Sequence, residues 1–358
     1  MSAATSVSRM LGIDHPIIQA PMARVSTPSL VAAVSNAGGL GSFGAAYTTA
    51  DELRAAVHAI ATATNKPFQV NLFVPQPLGY DQARLARARA ALASLEVELG
   101  LVPDSGTPTP PGDSFDDHFE VVLAERVPII SFQFGMPPAD YIARAKAAGT
   151  TIIAAATSPA EARVAVAAGA DLVIAQGAEA GGHQGSFVAE ADPALIGTMA
   201  LVPQVVDAVQ VPVIAAGGIM DGRGVAAALC LGAGAAQLGT AFIACPESAA
   251  APAYRQALLA AMPEQTRMTR AISGRPARGL VNRVIETVGG SGAVLPFPHQ
   301  MALSQRLARA ALERNRTDFM TMWAGQGVGM ARAMPAGELM AAIIAEFADA
   351  IAARERNG

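Results

Sequence analysis

Short apolar runs of strand length recur along the first two thirds of the chain, separated by alanine-rich stretches whose apolar residues fall at helical spacing. Eight runs stand out: Pro16 to Ala20, Leu40 to Phe43, Phe68 to Leu72, Ile129 to Phe132, Thr151 to Ala155, Asp171 to Ala175, Pro212 to Ala215 and Ala235 to Leu238. Strands that alternate with helices connect by right-handed crossovers into a parallel sheet, and eight such units are the complement of a closed (β/α)8 TIM barrel of the α/β class. An open doubly wound sheet is the alternative. Thr49 with Glu52 and Ser158 with Glu161 read as capping boxes, the second with Pro159 at the first helical position. Gly149, Gly169 and Gly232 read as helix stops just before the next strand. Pro103 to Pro111 is too proline-rich for a helix or a central strand and is expected to be a surface excursion.

After Cys245 the alternation stops. Between Pro246 and Pro298 the arginines Arg267, Arg270, Arg275, Arg278 and Arg283 outnumber Glu247, Glu264 and Glu286, which reads as a small basic lid. The chain then closes in an amphipathic helix, Gly337 to Arg354. The expected division is a barrel over 1–245, a smaller C-terminal lid and substrate subdomain over 246–335, and a helix over 336–358 that packs back on the barrel.

Composition narrows the classes of partner. Of 358 residues, 52% are hydrophobic and only 15% charged, enough apolar surface to build a core and to exclude global disorder. The 25 Lys and Arg against 29 Asp and Glu leave a net charge of −4, so no basic field draws in nucleic acid or an acidic membrane. The stretch Gly224 to Cys245 carries no charge, but its glycines and polar Gln237 and Thr240 make it helix, turn and buried strand in place of a membrane span. Cys230 and Cys245 have no metal spacing, so no metal site is expected, and with no apolar run after Arg9 to act as a secretory signal, the cytoplasm is the expected location. Self-association into a homo-oligomer is left open.

Barrel active sites lie at the C-terminal ends of the strands. There the chain places Gln19-Ala20-Pro21-Met22, Asn71, Gln133, Gln176-Gly177, Gly217-Gly218 and Gly239-Thr240. Amides both donate and accept, which suits the imide edge of a flavin ring, and glycines after the last strands let backbone N–H groups approach a phosphate. Together they point to FMN. The GxGxxG match Gly39 to Gly44 forms the second strand itself and has no acidic residue beyond it, so it is no dinucleotide fingerprint. The loop Gln176 to Gly185 is glycine-rich and carries His183, able to take a proton from a carbon acid or to donate a hydrogen bond to an anion. Of the remaining histidines only His299 is placed to reach the site as well. Met322 and Trp323 read as core, with a flavin-side wall as the alternative. No GxSxG, P-loop, HExxH or paired carboxylate stands on the rim, which disfavours hydrolysis and phosphoryl transfer.

These segments, in their order, carry a resemblance: Gln19 to Ala23, Phe68 to Phe73, Gln176 to Gly185, Ala216 to Ile219, Gln237 to Phe242 and Ile272 to Arg278. The chain resembles the class I nitronate monooxygenases, once called 2-nitropropane dioxygenases, over nearly its whole length, and shares single pieces with other FMN barrels such as enoyl-ACP reductases. The resemblance implies non-covalent FMN and the oxidative denitrification of alkyl nitronates, propionate 3-nitronate among them, by O2 to a carbonyl compound and nitrite or nitrate through a flavin semiquinone. It implies that Asn71, Gln176, Gly181, Gly218, Gln237, Leu238, Gly239 and Thr240 contact FMN, that Met22 lies near the ring and that His183 is the active-site histidine. Gly217 joins them from its place on the rim. Relatives meet the substrate with tyrosine and lysine side chains after the lid, whereas this chain has only Lys66 and Lys146 and its last tyrosine is Tyr254. The two-pronged guanidinium of Arg275 or Arg278, helped by His299, is therefore expected to hold the anionic substrate. Two other functions fit the same motifs: an NAD(P)H-dependent FMN reductase of enoyl or quinone substrates, and a non-enzymatic flavin-binding barrel.

Overall fold

A computed structural model describes residues 5–76, 79–103, 105–110, 112–188 and 194–357; Asp104 and Pro111 of the proline-rich excursion lie outside them. Each of the eight apolar runs overlaps a strand of one parallel sheet: β1 (Ile17–Gln19), β2 (Gly41–Gly44), β3 (Phe68–Phe73), β4 (Ile129–Gln133), β5 (Thr151–Ala156), β6 (Leu172–Gln176), β8 (Val213–Ala216) and β9 (Ala235–Leu238). The order is β1-β9-β8-β6-β5-β4-β3-β2. The ring closes where Ile18 bridges Leu40, with Gln19 N donating to Leu40 O at 2.9 Å and Leu40 N to Ile17 O at 3.0 Å. A (β/α)8 barrel results.

Side chains alternate across each strand, so every strand has one face toward the axis and one toward the helices. Inside, Ile18, Ile129, Ile153, Leu172, Ile174 and Ile214 fill the lower barrel, and Val7 and Leu11 of the helix Ser6–Leu11 plug its base. Higher up the interior turns polar: Gln69 Nε2 donates to Ser42 Oγ at 2.6 Å and Asn71 Nδ2 to Ser131 Oγ at 3.0 Å. Outward residues such as Val173, Val213, Ala236 and Leu238 pack with Leu201, Val205 and Val225 of the surrounding helices. Gln19 belongs to the seam and not to the rim, since Ser42 N donates to its Oε1 at 2.8 Å and its Nε2 donates to Ser26 Oγ at 3.1 Å.

One sequence expectation changes. Ser158 caps the helix Pro159–Ala167, but Glu161 does not return the bond: its carboxylate is buried and turns to Thr157 and to the segment after His183. Between β3 and β4, Leu92 and Leu95 of the helix Gln82–Glu98 join a second core with Leu258, Leu303 and Phe319, while Phe119 and Val122 of the helix Phe115–Ala124 cover the barrel.

Beyond Cys245 the chain forms the helix Pro252–Ala260, strands β10 (Thr266–Thr269) and β11 (Ala277–Leu280), and the helices Arg283–Gly290 and His299–Glu313. Strands β10 and β11 make a three-stranded antiparallel sheet with β7 (Gly182–His183), which comes from the loop after β6. The last helix, Ala336–Asn357, buries Leu339, Met340, Ile343 and Phe347 in the outer core. Burying one such side chain fully stabilises by about 1.5–3 kcal/mol. Glycine is required where this helix crosses the helix Gly222–Cys230: Gly222 N donates to Glu346 Oε2 at 3.0 Å, and a Cβ there would collide with Phe347 N. Gly222→Ala is expected to lower unfolding stability by about 1–3 kcal/mol through overpacking, measured by chemical denaturation; no loss would mean that the helix is loosely docked.

Candidate active site

A cavity of about 420 Å³ opens at the C-terminal ends of the strands. Ten residues singled out in the sequence border it together: Met22, Asn71, Gln176, Gly181, His183, Gly217, Gly218, Gln237, Gly239 and Thr240. Inward alternation explains the amides, because Asn71, Gln133, Gln176 and Gln237 share the register face of the barrel interior. Leu238 points the other way and is fully buried in the outer core, so only its backbone is near. Arg275, Arg278 and His299 do not border the cavity; the His299 ring packs 4.7 Å from that of Tyr80.

The amides have different tasks. Asn71 spends its NH2 group on Ser131 O and Oγ, at 3.1 and 3.0 Å, leaving its carbonyl oxygen. Gln176 is committed to the histidine loop: Nε2 donates to His183 O at 2.9 Å, and Oε1 accepts from Gly185 N at 2.7 Å. Gln133 Nε2 adds a second donor to His183 O at 3.2 Å. Gln237 Oε1 is buried and finds no donor among the described residues. An unpaired buried acceptor costs about 1–3 kcal/mol, which a ligand donor would remove.

The loop from Gln176 to Gly185, expected to be flexible, is stitched in place. Its Gly182–His183 strand pairs with β11, and Gln184 N donates to Pro276 O at 2.8 Å. Arg275 Nη2 donates to Ser186 O while its guanidinium lies 3.8 Å over the Phe134 ring; Arg278 Nε donates to Ala178 O at 2.9 Å. The Glu161 carboxylate accepts from Phe187 N at 2.8 Å and Val188 N at 3.3 Å, and from Thr157 N and Oγ1, each at 2.7 Å. Arg275 and Arg278 thus hold the loop.

Held there, the His183 ring is framed by Phe73 at 5.9 Å, Phe134 at 5.8 Å, Phe297 at 5.6 Å and Trp323 at 5.5 Å between centroids. Its Nε2 is buried and has no partner among the described residues. Burial, aided by the nearby positive charge of Arg275, pushes its pKa down to about 3. The imidazole is neutral at physiological pH and a weak proton acceptor.

A model of the nitronate monooxygenase family matches residues 4–346. The chain belongs to that family. It is 46% identical over 344 residues to a nitronate monooxygenase of Pseudomonas aeruginosa, an alignment covering 95% of this chain and 98% of that relative. Its structure is similar to that of a nitroalkane oxidase from Streptomyces ansochromogenes, with a TM-score of 0.90 and 44% identity over 97% of this chain and 99% of the other. It is also similar, at a TM-score of 0.77 and 33% identity over 99% of both chains, to FabK from Thermotoga maritima.

Sequence reasoning missed part of the wall. Trp323, read as core, borders the cavity, while its neighbour Met322 is buried. Arg24, Tyr47 and Phe73 border it too, and the rim rule could have found them, since Tyr47 and Phe73 lie at or just past the ends of β2 and β3. Among the described residues, no three His, Cys, Asp or Glu side chains group to hold a metal, and no helix is long and apolar enough to cross a membrane. Because a cation disfavours imidazolium, Arg275→Ala is expected to raise the His183 pKa from about 3 toward its ordinary value, followed by NMR titration of the ring protons. An unmoved midpoint would assign the depression to burial alone.

Proposed function

We propose that the protein is an FMN-dependent nitronate monooxygenase that uses O2 to convert small alkyl nitronates of the propionate 3-nitronate type to a carbonyl compound and nitrite or nitrate. The observation that carries this reading is the neutral His183, its Nε2 unpartnered and its ring walled by aromatic residues, in the same cavity as the spare amide oxygen of Gln237. The residues fit a flavin. Gln237 Oε1 needs a donor, and an isoalloxazine imide N–H is one. Gly217 and Gly218 have φ of +118° and +71°, and a Cβ on Gly217 would lie 2.7 Å from Thr198 Oγ1, so bare backbone faces the place where a phosphate would come. Met22, Asn71, Gly181 and Gln237 would hold the ring, and Gly217, Gly218, Gly239 and Thr240 the phosphate. Bound flavin supplies the electron acceptance and the reaction with oxygen.

The protein's own groups bind and orient. Gln133 and Gln176 fix the His183 carbonyl, and through it the direction of the ring. The aromatic frame makes the surroundings of the ring less polar than water, so a hydrogen bond from the neutral imidazole to a nitronate oxygen is stronger there than in solvent. An imidazole with a pKa near 3 is poorly suited to pull a proton from carbon, which favours preformed nitronates over neutral nitroalkanes. Residues 246–335 are proposed as the substrate-side lid, since Ile272, Met301, Met320 and Trp323 border the cavity. The proposed setting is the cytoplasm, consistent with a chain whose two cysteines, Cys230 and Cys245, have neither metal-ligand nor disulfide-framework spacing.

Heat-released chromophore is expected to have the mass of FMN, and anaerobic mixing to change the flavin spectrum with propionate 3-nitronate and not with NADPH. FAD alone, no flavin affinity, or rapid bleaching by NADPH without response to the nitronate would defeat the proposal, the last in favour of an NAD(P)H-dependent FMN reductase. His183→Asn is expected to lower kcat/KM on ethyl nitronate by about 10- to 100-fold, the worth of a hydrogen bond to a charged group. A much larger loss on neutral nitroethane than on ethyl nitronate would show instead that His183 is a general base.

A further inference from the structure

Arg24 and Tyr47 border the cavity without a task in the proposed function, and both hold a backbone conformation that side chains other than glycine avoid, with φ of +62° and +72°. Strain of this kind at a cavity wall persists where the surroundings enforce it, and it clusters at ligand sites. Gly44 brings the two together: a Cβ there would lie 2.7 Å from Ala23 N, so its absence lets the turn after β1 press against the end of β2. The Arg24 guanidinium then lies 5.2 Å from the centroid of the Tyr47 ring. Tyr47 Oη is buried and has no hydrogen-bond partner among the described residues, and no carboxylate among them pairs with Arg24, which is exposed at the mouth. Burial raises the Tyr47 phenol well above its ordinary pKa, so it is a neutral donor at every working pH. The Tyr47 ring lies 6.2 Å from that of Phe73, which is 5.9 Å from His183, so the pair sits on the histidine side of the cavity.

Among the described residues that border the cavity there is no Asp, Glu or Lys; the formal charges are Arg24 and Arg309. Arg309, on the helix His299–Glu313, also borders a smaller cavity of about 220 Å³ whose wall includes Glu313. Arg24 is the cation with an aromatic seat and an unused hydroxyl donor beside it. We propose that Arg24 and Tyr47 form the specificity-determining site for a carboxylate on the substrate, so that nitronates bearing a carboxylate at the far end are preferred over those with an uncharged tail. A guanidinium offers a carboxylate two parallel N–H donors, and the Tyr47 hydroxyl adds a third. The proposal rests on the nitronate reading for the reaction and adds the chemistry of the substrate's other end.

Arg24→Gly is the deciding variant, because glycine accepts the left-handed backbone and the protein should melt no lower than the parent. Tyr47→Phe removes only the hydroxyl. The ratio of kcat/KM for propionate 3-nitronate to that for ethyl nitronate is expected to fall by about 10- to 100-fold in Arg24→Gly, mainly through KM, and by less in Tyr47→Phe, with FMN content unchanged. An unchanged ratio would overturn the proposal. So would weakened affinity for FMN with riboflavin affinity intact, which would give the guanidinium to the cofactor phosphate, or a ratio that falls in Arg309→Ala alone. Should the parent oxidise neither nitronate, the nitronate reading fails and the site is judged by binding: 3-nitropropionate, titrated against the absorbance of bound flavin, should bind at least about tenfold more tightly to the parent than to Arg24→Gly. Equal affinities would overturn the carboxylate site independently of the reaction.

Discussion

Closing eight parallel strands into a ring gives each strand one face toward the axis, and the rest of the site depends on that alternation. The lower axis is filled by Ile18, Ile129, Ile153 and Ile174, and the helix Ser6–Leu11 seals it from below. The cavity accordingly opens at the C-terminal rim, where the inward positions become Asn71, Gln133, Gln176 and Gln237. Shifting any of these strands by one residue would exchange its amide for an outward apolar neighbour, as the pair Gln237 and Leu238 shows. The apolar packing that fixes the register thus also fixes which hydrogen-bonding groups face the cavity.

Polar groups placed in such surroundings must be satisfied or left for a ligand, and the cavity contains both kinds. Glu161 and Arg275 are buried ionisable groups spent on the backbone after His183, through Phe187 N, Val188 N and Ser186 O. No salt-bridge contact joins them, but the Glu161 charge lies near enough to favour the Arg275 cation. The result is a histidine loop that is rigid although it is rich in glycine. Gln237 Oε1, His183 Nε2 and Tyr47 Oη have no partner among the described residues, and all three residues border the same cavity.

Rigidity and desolvation act together on His183. Burial disfavours the charged imidazole, and Arg275, which holds the loop, adds a positive charge that further disfavours protonation. A group that holds the loop thereby adds, second to burial, to the depression of the His183 pKa.

The sequence by itself determined the barrel, because strand-length apolar runs with helices between them have a local signature, and parallel strands buried on both faces need continuous apolar stretches. It also determined the amide and glycine rim, whose residues stand next to those runs. Tertiary structure decided the rest, because it depends on which surfaces meet across long sequence separation. Arg275 and Arg278 look like substrate ligands in a basic segment, yet β11 pairs with β7 and delivers them to the carbonyls of the histidine loop, some ninety to a hundred residues earlier in the chain. Trp323 has no periodicity that marks it, and it reaches His183 only because its segment bridges to Gly279 beside the small sheet. Arg24 and Tyr47 belong to two separate strand-end turns, and their meeting follows from a close approach at Gly44 that no local pattern announces.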